Sequence, residues 1–316
     1  MDTNDVLYDV EFYAGNDDLH SKIINALPDI PWVRKPFWTL PEEERLLMSW
    51  ENFAAMVKHR VRYLMFPDTP DSEKTPDSLV PTQVLDMIGD NIRDHGLLAT
   101  IPAGTILYRV RIHKPGLKYS TIEELGPPPS KASRFSNRMS PAGISLLYVS
   151  LDQETAISET WVRKDENPEE VTIAQFKLTE DILILNLVNL PEVPSIFEDQ
   201  EKTWRRPFLK FLNRFVRNLT EKVEKDGREH VEYTPSQVVT EYFRYRFRSN
   251  GNQAVRGILY PSAARSGGQS CVLFVSYEDL NDKYDFGKPI AFPISFLSDK
   301  TECRRLKTNI YNKKGT

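Results

Sequence analysis

Arginines at two places along the chain carry the side chain best suited to binding phosphate groups. Arg109 and Arg111 stand two residues apart in the stretch LYRVR, and Arg134 lies in the polar segment SRFSNR. In a strand, residues i and i+2 project from the same face, and a guanidinium can bind two oxygens of one phosphate. These arginines are therefore suited to a diphosphate, although each one taken alone is typical of a solvated strand edge or loop.

A carboxylate and a hydroxyl offer a second kind of chemistry. Glu159 lies one helical turn after Thr155 in the predicted helix QETAISETWVRK, so the two share a face. Opposite a sugar, such a carboxylate stabilises the positive charge that develops as a glycosidic bond breaks. Ser262 follows one predicted strand, where serine is also a common turn residue. Tyr148 lies near the end of another strand, where its ring either fills the core or stacks on a flat heterocycle.

A mixed α and β region that starts near residue 100 must position these side chains. TILYRVRI is followed by the strand patterns ISLLYV, VTIAQFKL and DILILNL, and RGILYPS is followed by SCVLFV across AARSGGQ. Asp152 has the position of an N-cap, and the segment Thr234-Pro235-Ser236-Gln237 has the spacing of a capping box.

The first third of the chain predicts helices. One helix over residues 49–66 has an apolar stripe at Phe53, Val57, Val61 and Leu64, and a second runs from Pro81 to a C-cap at Gly96. The change from helix to strand pattern predicts a domain boundary near residue 100. We therefore expect a helical domain over residues 1–100 and a second domain over residues 101–316.

The composition excludes several classes of protein. The 316 residues are 40% hydrophobic and 27% charged, as in soluble globular proteins, and the net charge of −4 favours neither nucleic acid nor membrane as a partner. Two cysteines form no disulfide framework, and five scattered histidines have no metal-ligand spacing, so no metal site is expected. The acidic start MDTNDVLYDVEF is unlike a signal peptide, and no apolar run is long enough for a membrane helix. A cytoplasmic protein is expected.

Four segments in a fixed order resemble the RES domain family over roughly residues 100–280: LYRVR, SRFSNRMSPAGISLLYVSLDQETAISE, YTPSQVVTEYFRYRF and GILYPSAARSGGQSCVLF. The family is named for an arginine, a glutamate and a serine, and it includes many bacterial toxins of toxin–antitoxin pairs. In this chain they would be Arg109, Glu159 and Ser262. The resemblance implies an α+β fold like that of ADP-ribosyltransferase toxins, with NAD as substrate and no further cofactor.

The resemblance also implies a role for each candidate residue. The diphosphate of NAD would be bound by Arg109 and Arg134, with Arg111 projecting from the same strand face, and Tyr148 would stack on nicotinamide. Glu159 would contact the nicotinamide ribose and favour its oxocarbenium-like transition state. Ser262 would position the ribose or Glu159 itself. Arg109, Glu159 and Ser262 are therefore the expected catalytic set.

The activity implied in this way is cleavage of NAD at the nicotinamide–ribose bond, with depletion of NAD and growth arrest in a toxin–antitoxin or phage-defence setting. One alternative is ADP-ribosyl transfer to a protein or nucleic acid. Transferases often have a second acidic residue two positions before the glutamate, where this chain has Ile157. An antitoxin, a regulatory protein and a second copy of the chain are the candidate macromolecular partners.

A second alternative is a nucleic-acid-binding or interaction protein without catalysis. Its footprint would be the basic residues of the helix TWRRPFLKFLNRFVRNL, namely Arg205, Arg206, Lys210, Arg214 and Arg217. A solvated amphipathic helix explains the same pattern, and nucleic acid is not the partner that the net charge favours.

The first third resembles the HEPN-like helical extension that precedes some RES domains. Active HEPN ribonucleases separate an arginine and a histidine more widely than Arg93 and His95 are separated here. We therefore expect a structural, regulatory or partner-binding module rather than a ribonuclease.

Overall fold

The computed structural model describes residues 17–26, 39–63, 81–160, 170–195, 197–198, 205–220, 227–280 and 292–305. Within these ranges the helices are α1 (Asp17–Ala26), α2 (Glu42–His59), α3 (Pro81–Asp94), α4 (Ile122–Leu125), α5 (Gln153–Thr160), α6 (Arg206–Thr220), α7 (Glu229–Glu232), α8 (Thr234–Glu241) and α9 (Tyr277–Leu280). A π-helical turn, Tyr242–Arg246, extends α8, and short 3-10 turns lie at Ser130–Ala132 and Ser298–Lys300.

The strands within the same ranges are β1 (Leu98–Ile101), β2 (Ile106–His113), β3 (Leu147–Ser150), β4 (Glu170–Leu178), β5 (Ile182–Asn186), β6 (Gly257–Pro261), β7 (Gln269–Leu273), β8 (Ile294–Phe296) and β9 (Glu302–Arg305). They form one sheet in the order β1-β5-β6-β7-β3-β2-β4-β8, and β9 also pairs with β4. Neighbouring strands are antiparallel except for β5 and β6. Helices combined with a mixed sheet confirm the α+β prediction.

The sheet is incomplete at its centre, between β2 and β3. β2 pairs with β4 along its whole length, from Ile106 to His113. With β3 it shares a single register pair, Tyr108 opposite Ser150. Beyond that pair the two strands separate, and Arg109 is the next residue of β2. The sheet therefore has a gap beside one of the predicted site arginines.

Helix α2 is shorter at its C-terminal end than its apolar pattern predicts. It ends at His59 because Arg60 leaves the helical conformation, and the backbone N–H groups of both Arg60 and Val61 bond to the carbonyl of Met56. Val61 is 37% exposed, so its place in the apolar stripe is wrong, and Leu64 lies outside the described residues. The buried stripe extends toward the N-terminus instead, through Leu46, Trp50, Phe53 and Val57.

Helix α3 has the ends that its sequence predicts. Proline occupies its first position, where no N–H is required, and Gly96 follows the helix with a φ of +68°, which a residue with a side chain adopts only with strain. Its buried face is formed by Val84, Ile88 and Ile92.

One hydrophobic core joins the N-terminal helices to one face of the sheet. It contains residues of α2, α3, α6 and α8 together with strand residues such as Leu185, Ile258 and Val272. A second core covers the opposite face, and a third, smaller cluster packs Ala156 and Ile157 of α5 against β2 and β4. Residues from both sides of the predicted boundary near residue 100 thus share one core, while the boundary itself stays a prediction.

The basic residues of α6 contact other parts of the protein. Lys210 Nζ lies 3.0 Å from Glu43 Oε2, and Arg214 Nη2 lies 2.9 Å from Glu51 Oε1, both carboxylates belonging to α2. Arg206 donates to the carbonyl of Pro194. Lys210 and Arg214 therefore connect α6 to α2. These basic side chains are already bonded within the protein, whereas binding of nucleic acid would require them to contact phosphates.

The Arg93 and His95 side chains also have structural partners. Arg93 Nη1 donates to the carbonyl of Arg248 at 2.9 Å, and His95 Nδ1 lies 2.8 Å from the carbonyl of Asn91. Burial lowers the pKa of His95, which is 4% exposed. Among the described residues, no helix has both the length and the apolar character required to cross a membrane.

Candidate functional site

Arg109 lies at the gap in the sheet, half-buried. Its Nη1 donates to the carbonyl oxygen of Tyr148 at 3.4 Å. Tyr148 is a residue of β3 and lies beyond the single register pair between β2 and β3, which is Tyr108 opposite Ser150. Burial and then the nearby charge of Arg111 lower the pKa of Arg109 to about 10, so the guanidinium stays protonated at neutral pH. The gap therefore holds a permanent positive charge.

Arg111, two residues further along β2, is exposed and contacts the segment around α4. It donates to the carbonyl of Glu124 at the end of α4, and its Cζ lies 4.8 Å from the centroid of the Tyr119 ring. The alternation of strand residues places it on the same sheet face as Arg109. Its contribution to a phosphate site stays a prediction.

Arg134 lies in the segment that we name the arginine loop, residues 133–143. The loop is closed at its base by a bond from Gly143 N–H to the Ser133 carbonyl at 2.7 Å, and reciprocal bonds between Asn137 and Ser140 make a tight turn within it. Arg134 is exposed, and its side chain has no hydrogen bond or ion pair with any residue of the described ranges. The next residue, Phe135, is 81% exposed. The loop therefore presents a cation and a ring to solvent.

Helix α8 holds the arginine loop through three side chains. Ser236 Oγ donates to the carbonyl of Arg138, and Gln237 Nε2 donates to the carbonyl of Asn137 at 2.8 Å. Thr240 Oγ1 lies 3.2 Å from the sulfur of Met139 and shares its proton with the Ser236 carbonyl at 2.8 Å. All three donors are buried and lie about 100 residues further along the chain, as the 98-residue separation of Ser236 from Arg138 shows. Sequence reasoning missed this function, because the motif reads as a local capping signal.

The predicted capping box at Thr234 is wrong. Thr234 lies inside the first turn of α8 and not before it, because the chain already turns helically through α7, and Tyr233 is the N-cap residue. The Thr234 hydroxyl donates backward to the carbonyl of His230 at 3.1 Å. The Gln237 side chain is consequently free to reach the arginine loop.

Tyr148 connects β3 to the arginine loop. Its hydroxyl oxygen accepts the Met139 N–H at 3.2 Å and lies 3.1 Å from Ser140 Oγ. Burial raises the pKa of Tyr148 to about 12, so the phenol is protonated at neutral pH. Its ring packs partly against the first core. Tyr148 therefore fixes the position of the loop, and the stacking role predicted for its ring stays a prediction.

Glu159 lies on the exposed side of α5, the helix that starts where the sequence predicts. Asp152 caps it, since Asp152 Oδ1 accepts the N–H of Thr155 at 2.9 Å. One carboxylate oxygen of Glu159, Oε1, accepts the hydroxyl of Ser262 at 2.6 Å and that of Ser270 at 3.3 Å. Oε2 has no hydrogen bond to any of the described residues, and the Glu159 residue as a whole is exposed. One oxygen is thus held while the other is available to a substrate.

Ser262 has a fixed orientation because all its bonding capacity is used. Its oxygen accepts the N–H groups of Ala264 and Arg265 at 3.2 and 3.1 Å. A hydroxyl has two acceptor sites and one proton, so the proton is left for Glu159. Sequence reasoning proposed that Ser262 positions either the ribose or Glu159, and the geometry shows it in contact with Glu159.

The segment from Ser262 to Gly268, which we name the serine loop, is also tied to the start of α5. Arg265 Nη1 donates to Asp152 Oδ1 at 2.9 Å and to Thr155 Oγ1 at 3.0 Å. Burial would raise the pKa of Asp152, but the bonds from Thr155 and the Arg265 charge together hold it below its ordinary value. A Cβ atom at Gly268 would lie 2.5 Å from Thr155 Oγ1, so glycine is required for this close approach.

Tyr260, on β6, is a further residue of the site that sequence reasoning missed. Burial raises its pKa well above the ordinary value, and the proximity of Tyr148 and Glu159 adds to the effect. The phenol therefore stays neutral and is close enough to both Tyr148 and Glu159 for their charges to affect it. In the sequence Tyr260 is a tyrosine in a predicted strand, and nothing in that pattern marks it as a residue of the site.

The structure brings Glu159 and Ser262 into contact and places Arg109 against the backbone of Tyr148, whereas Arg111 and Arg134 contact neither group within the described residues. Arg109 contacts the backbone carbonyl of Tyr148, the arginine loop contacts its hydroxyl, and Glu159 and Ser262 form a carboxylate–hydroxyl pair near Tyr260. In the described residues no group of three or more histidine, cysteine, aspartate or glutamate side chains could hold a metal ion.

Comparison with family models gives two matches. The RES domain model matches residues 106–292, which is more than half of the chain, and includes Arg109, Arg134, Tyr148, Glu159 and Ser262. The model for HEPN/RES N-terminal domain 1 matches residues 1–71. No curated protein and no solved structure matches the chain.

Proposed function

The chain belongs to the RES domain family, and on that premise we propose that it cleaves NAD at the bond between nicotinamide and ribose. The family is associated with toxin-like proteins and with NAD-related catalysis. The observation that carries the proposal is the way Glu159 is bonded: two serine hydroxyls donate to its Oε1, while the side chain stays exposed. Two hydroxyls thus fix the orientation of an exposed carboxylate, as a carboxylate that must meet a substrate in a defined geometry requires.

Binding of NAD would use the cations at the gap in the sheet. Arg109 is charged and fixed, and Arg134 is charged and unengaged among the described residues, so the two are suited to the diphosphate. Arg111 would add to the positive potential from the same strand face. In this proposal NAD is a substrate that is consumed, and no separate cofactor takes part.

The chemistry would take place at C1′ of the nicotinamide ribose. The bond from C1′ to the pyridinium nitrogen breaks, and its electron pair leaves with the ring, which becomes neutral nicotinamide. The sugar carries the positive charge as an oxocarbenium ion, and the Glu159 carboxylate stabilises it through charge and through a bond to a ribose hydroxyl. Water or phosphate then attacks C1′, and a proton is released.

Release of nicotinamide from NAD by the purified protein tests the proposal. Glu159→Gln keeps the shape and removes the charge, so the rate should fall on the order of a hundredfold or more. Glu154→Gln, on the same helix, is the matched control, because Glu154 pairs with Arg304 at 3.4 Å and does not contact the serines. Equal rates for the wild type and Glu159→Gln would overturn the proposal.

Transfer of ADP-ribose to a macromolecule is less well supported by the site. The position two residues before Glu159, where a transferase often has a second acid, is Ile157, and its side chain is 1% exposed in the cluster that packs α5 on β2 and β4. A residue there faces the core and cannot contact an acceptor. Water or a small anion such as phosphate is therefore the proposed acceptor.

In a cell the proposed reaction would deplete NAD and arrest growth, which is the behaviour of a toxin whose partner is a protein antitoxin. Growth and NAD content during expression of the wild type and of Glu159→Gln test this step. Loss of NAD with the wild type alone is expected. Growth arrest by both variants would show that toxicity arises without the reaction.

A further inference from the structure

Helix α2 packs in the same hydrophobic core as α8, and an ion pair also connects it to α7. Lys58, in the last turn of α2, places its Nζ 2.6 Å from Oε2 of Glu232, the last residue of α7. Both side chains are largely shielded, with 24% and 31% of their surface exposed. Glu232 also lies 3.8 Å from Arg228, so it faces two cations.

Glu232 is directly followed by the residues that hold the arginine loop. The ring of Tyr233 lies beneath the Arg138 guanidinium, 5.5 Å from Cζ, and the Tyr233 carbonyl accepts the Ser236 hydroxyl at 2.8 Å. The single proton of that hydroxyl is shared with the Arg138 carbonyl, which lies within hydrogen-bond distance as well. The Arg138 side chain in turn donates to the carbonyl of Leu219 at the end of α6. A continuous set of contacts therefore leads from α2 to the arginine loop.

The space between these elements is not fully packed. A cavity of about 250 Å³ lies there, and its lining includes Trp50, Ala54 and Lys58 of α2 as well as Arg138, Tyr233 and Ser236. This cavity is partly open to solvent, and it leaves room for the Arg138 side chain to shift. Beside the apolar contacts of the first core, which include Trp50 of α2 and Met139 of the arginine loop, the ion pair is a polar connection from α2 to the elements that hold the loop.

We propose that Lys58 and Glu232 are positioning residues for the substrate site, through which the N-terminal helical region orders the arginine loop and so sets the affinity for the diphosphate of NAD. The consequence for NAD rests on the proposed function, whereas the ordering of the loop does not. Since only molecules with an ordered loop bind NAD well, the apparent affinity is reduced by the fraction of molecules that lack it.

Two variants and a matched control test this inference in the full chain. Lys58→Met and Glu232→Gln each break the ion pair, while Lys210→Met breaks the pair with Glu43, which also anchors α2 and is similarly exposed, at 39% and 31%. We expect the KM for NAD to rise about threefold to tenfold in the first two variants, with kcat within about twofold of the wild type. Lys210→Met should leave both constants unchanged.

The double variant separates a pairwise effect from two independent ones. If the ion pair is the cause, Lys58→Met combined with Glu232→Gln raises KM no further than either single change. A double variant whose effect is the product of the single effects would overturn the assignment of the pair. An equal rise of KM in Lys210→Met would also overturn it, because any loosening of α2 would then suffice.

Hydrogen–deuterium exchange of the arginine loop gives a readout that needs no NAD chemistry. The backbone N–H groups of Asn137, Met139 and Gly143 are bonded within the loop or to Tyr148, and their exchange should accelerate in Lys58→Met and not in Lys210→Met. If the wild type releases no nicotinamide, the proposed function fails and the exchange rates still decide this inference. Unchanged exchange in Lys58→Met would refute it.

Discussion

Replacement of Ser262 by alanine isolates the part of catalysis that depends on holding Glu159. The hydroxyl lies 2.6 Å from Glu159 Oε1, which is the short distance of a bond to a charged oxygen. A bond of this kind contributes about 1.5–3 kcal/mol. Ser270 remains at 3.3 Å and retains part of the restraint. The expected result is therefore a fall in kcat of about tenfold to a hundredfold, since 1.4 kcal/mol corresponds to roughly tenfold in rate.

The assay is steady-state release of nicotinamide, with kcat and KM determined separately. In the proposed function the diphosphate is bound by Arg109 and Arg134, which Ser262 does not contact, so KM should change little. The two N–H groups that lose their acceptor, those of Ala264 and Arg265, are in a solvent-exposed loop where water can replace it, so Tm should fall only slightly.

Ser158→Ala is the matched control, because the Ser158 hydroxyl bonds to the carbonyl of Glu154 within α5 and not to Glu159. Its kcat should equal that of the wild type. A Ser262→Ala protein with wild-type kcat and unchanged Tm would refute the reasoning, since it would show that the orientation of Glu159 does not depend on this bond. A change confined to KM would assign Ser262 to substrate binding instead.

Three further predictions concern stability and reactivity. Gly268→Ala would place a Cβ 2.5 Å from Thr155 Oγ1 and should lower the free energy of unfolding by about 1–3 kcal/mol in urea titrations, an effect that Thr155→Ala should relieve. The pKa of Asp152 is lower in the folded protein than its ordinary value, so the ionised carboxylate stabilises the fold. This stabilisation is complete above the ordinary aspartate pKa and is lost as pH falls through the lower pKa of the folded protein. Below about pH 4 the Tm of Asp152→Asn should therefore fall less steeply with pH than the Tm of the wild type. Burial raises the pKa of Cys271 to about 12, so iodoacetamide at neutral pH should label the exposed Cys303 in the folded protein and Cys271 only after unfolding, as mass spectrometry would show.

Several local features of the site could be predicted from the sequence because they depend on neighbours along the chain. The strand around Arg109, the cap at Asp152 and the shared face of Thr155 and Glu159 all follow from side-chain periodicity and capping chemistry. Periodicity was less reliable at helix ends, as the loss of Val61 from the stripe of α2 shows. A helix ends where its backbone N–H and C=O groups stop bonding in the helical pattern, and the spacing of apolar residues does not indicate that position.

The tertiary structure alone decided which of these residues meet. Ser262 contacts Glu159 across 103 residues, and Gln237 holds Asn137 across 100, because strand pairing and helix packing bring those segments together. No spacing in the sequence encodes such contacts, since they depend on which face of each element is buried against which partner. The same holds for Tyr148, whose hydroxyl fixes the arginine loop. The sequence by itself determined which chemical groups are present and the local secondary structure around them. The folded chain determined which groups meet, because long-range packing selects among the many contacts that local patterns allow.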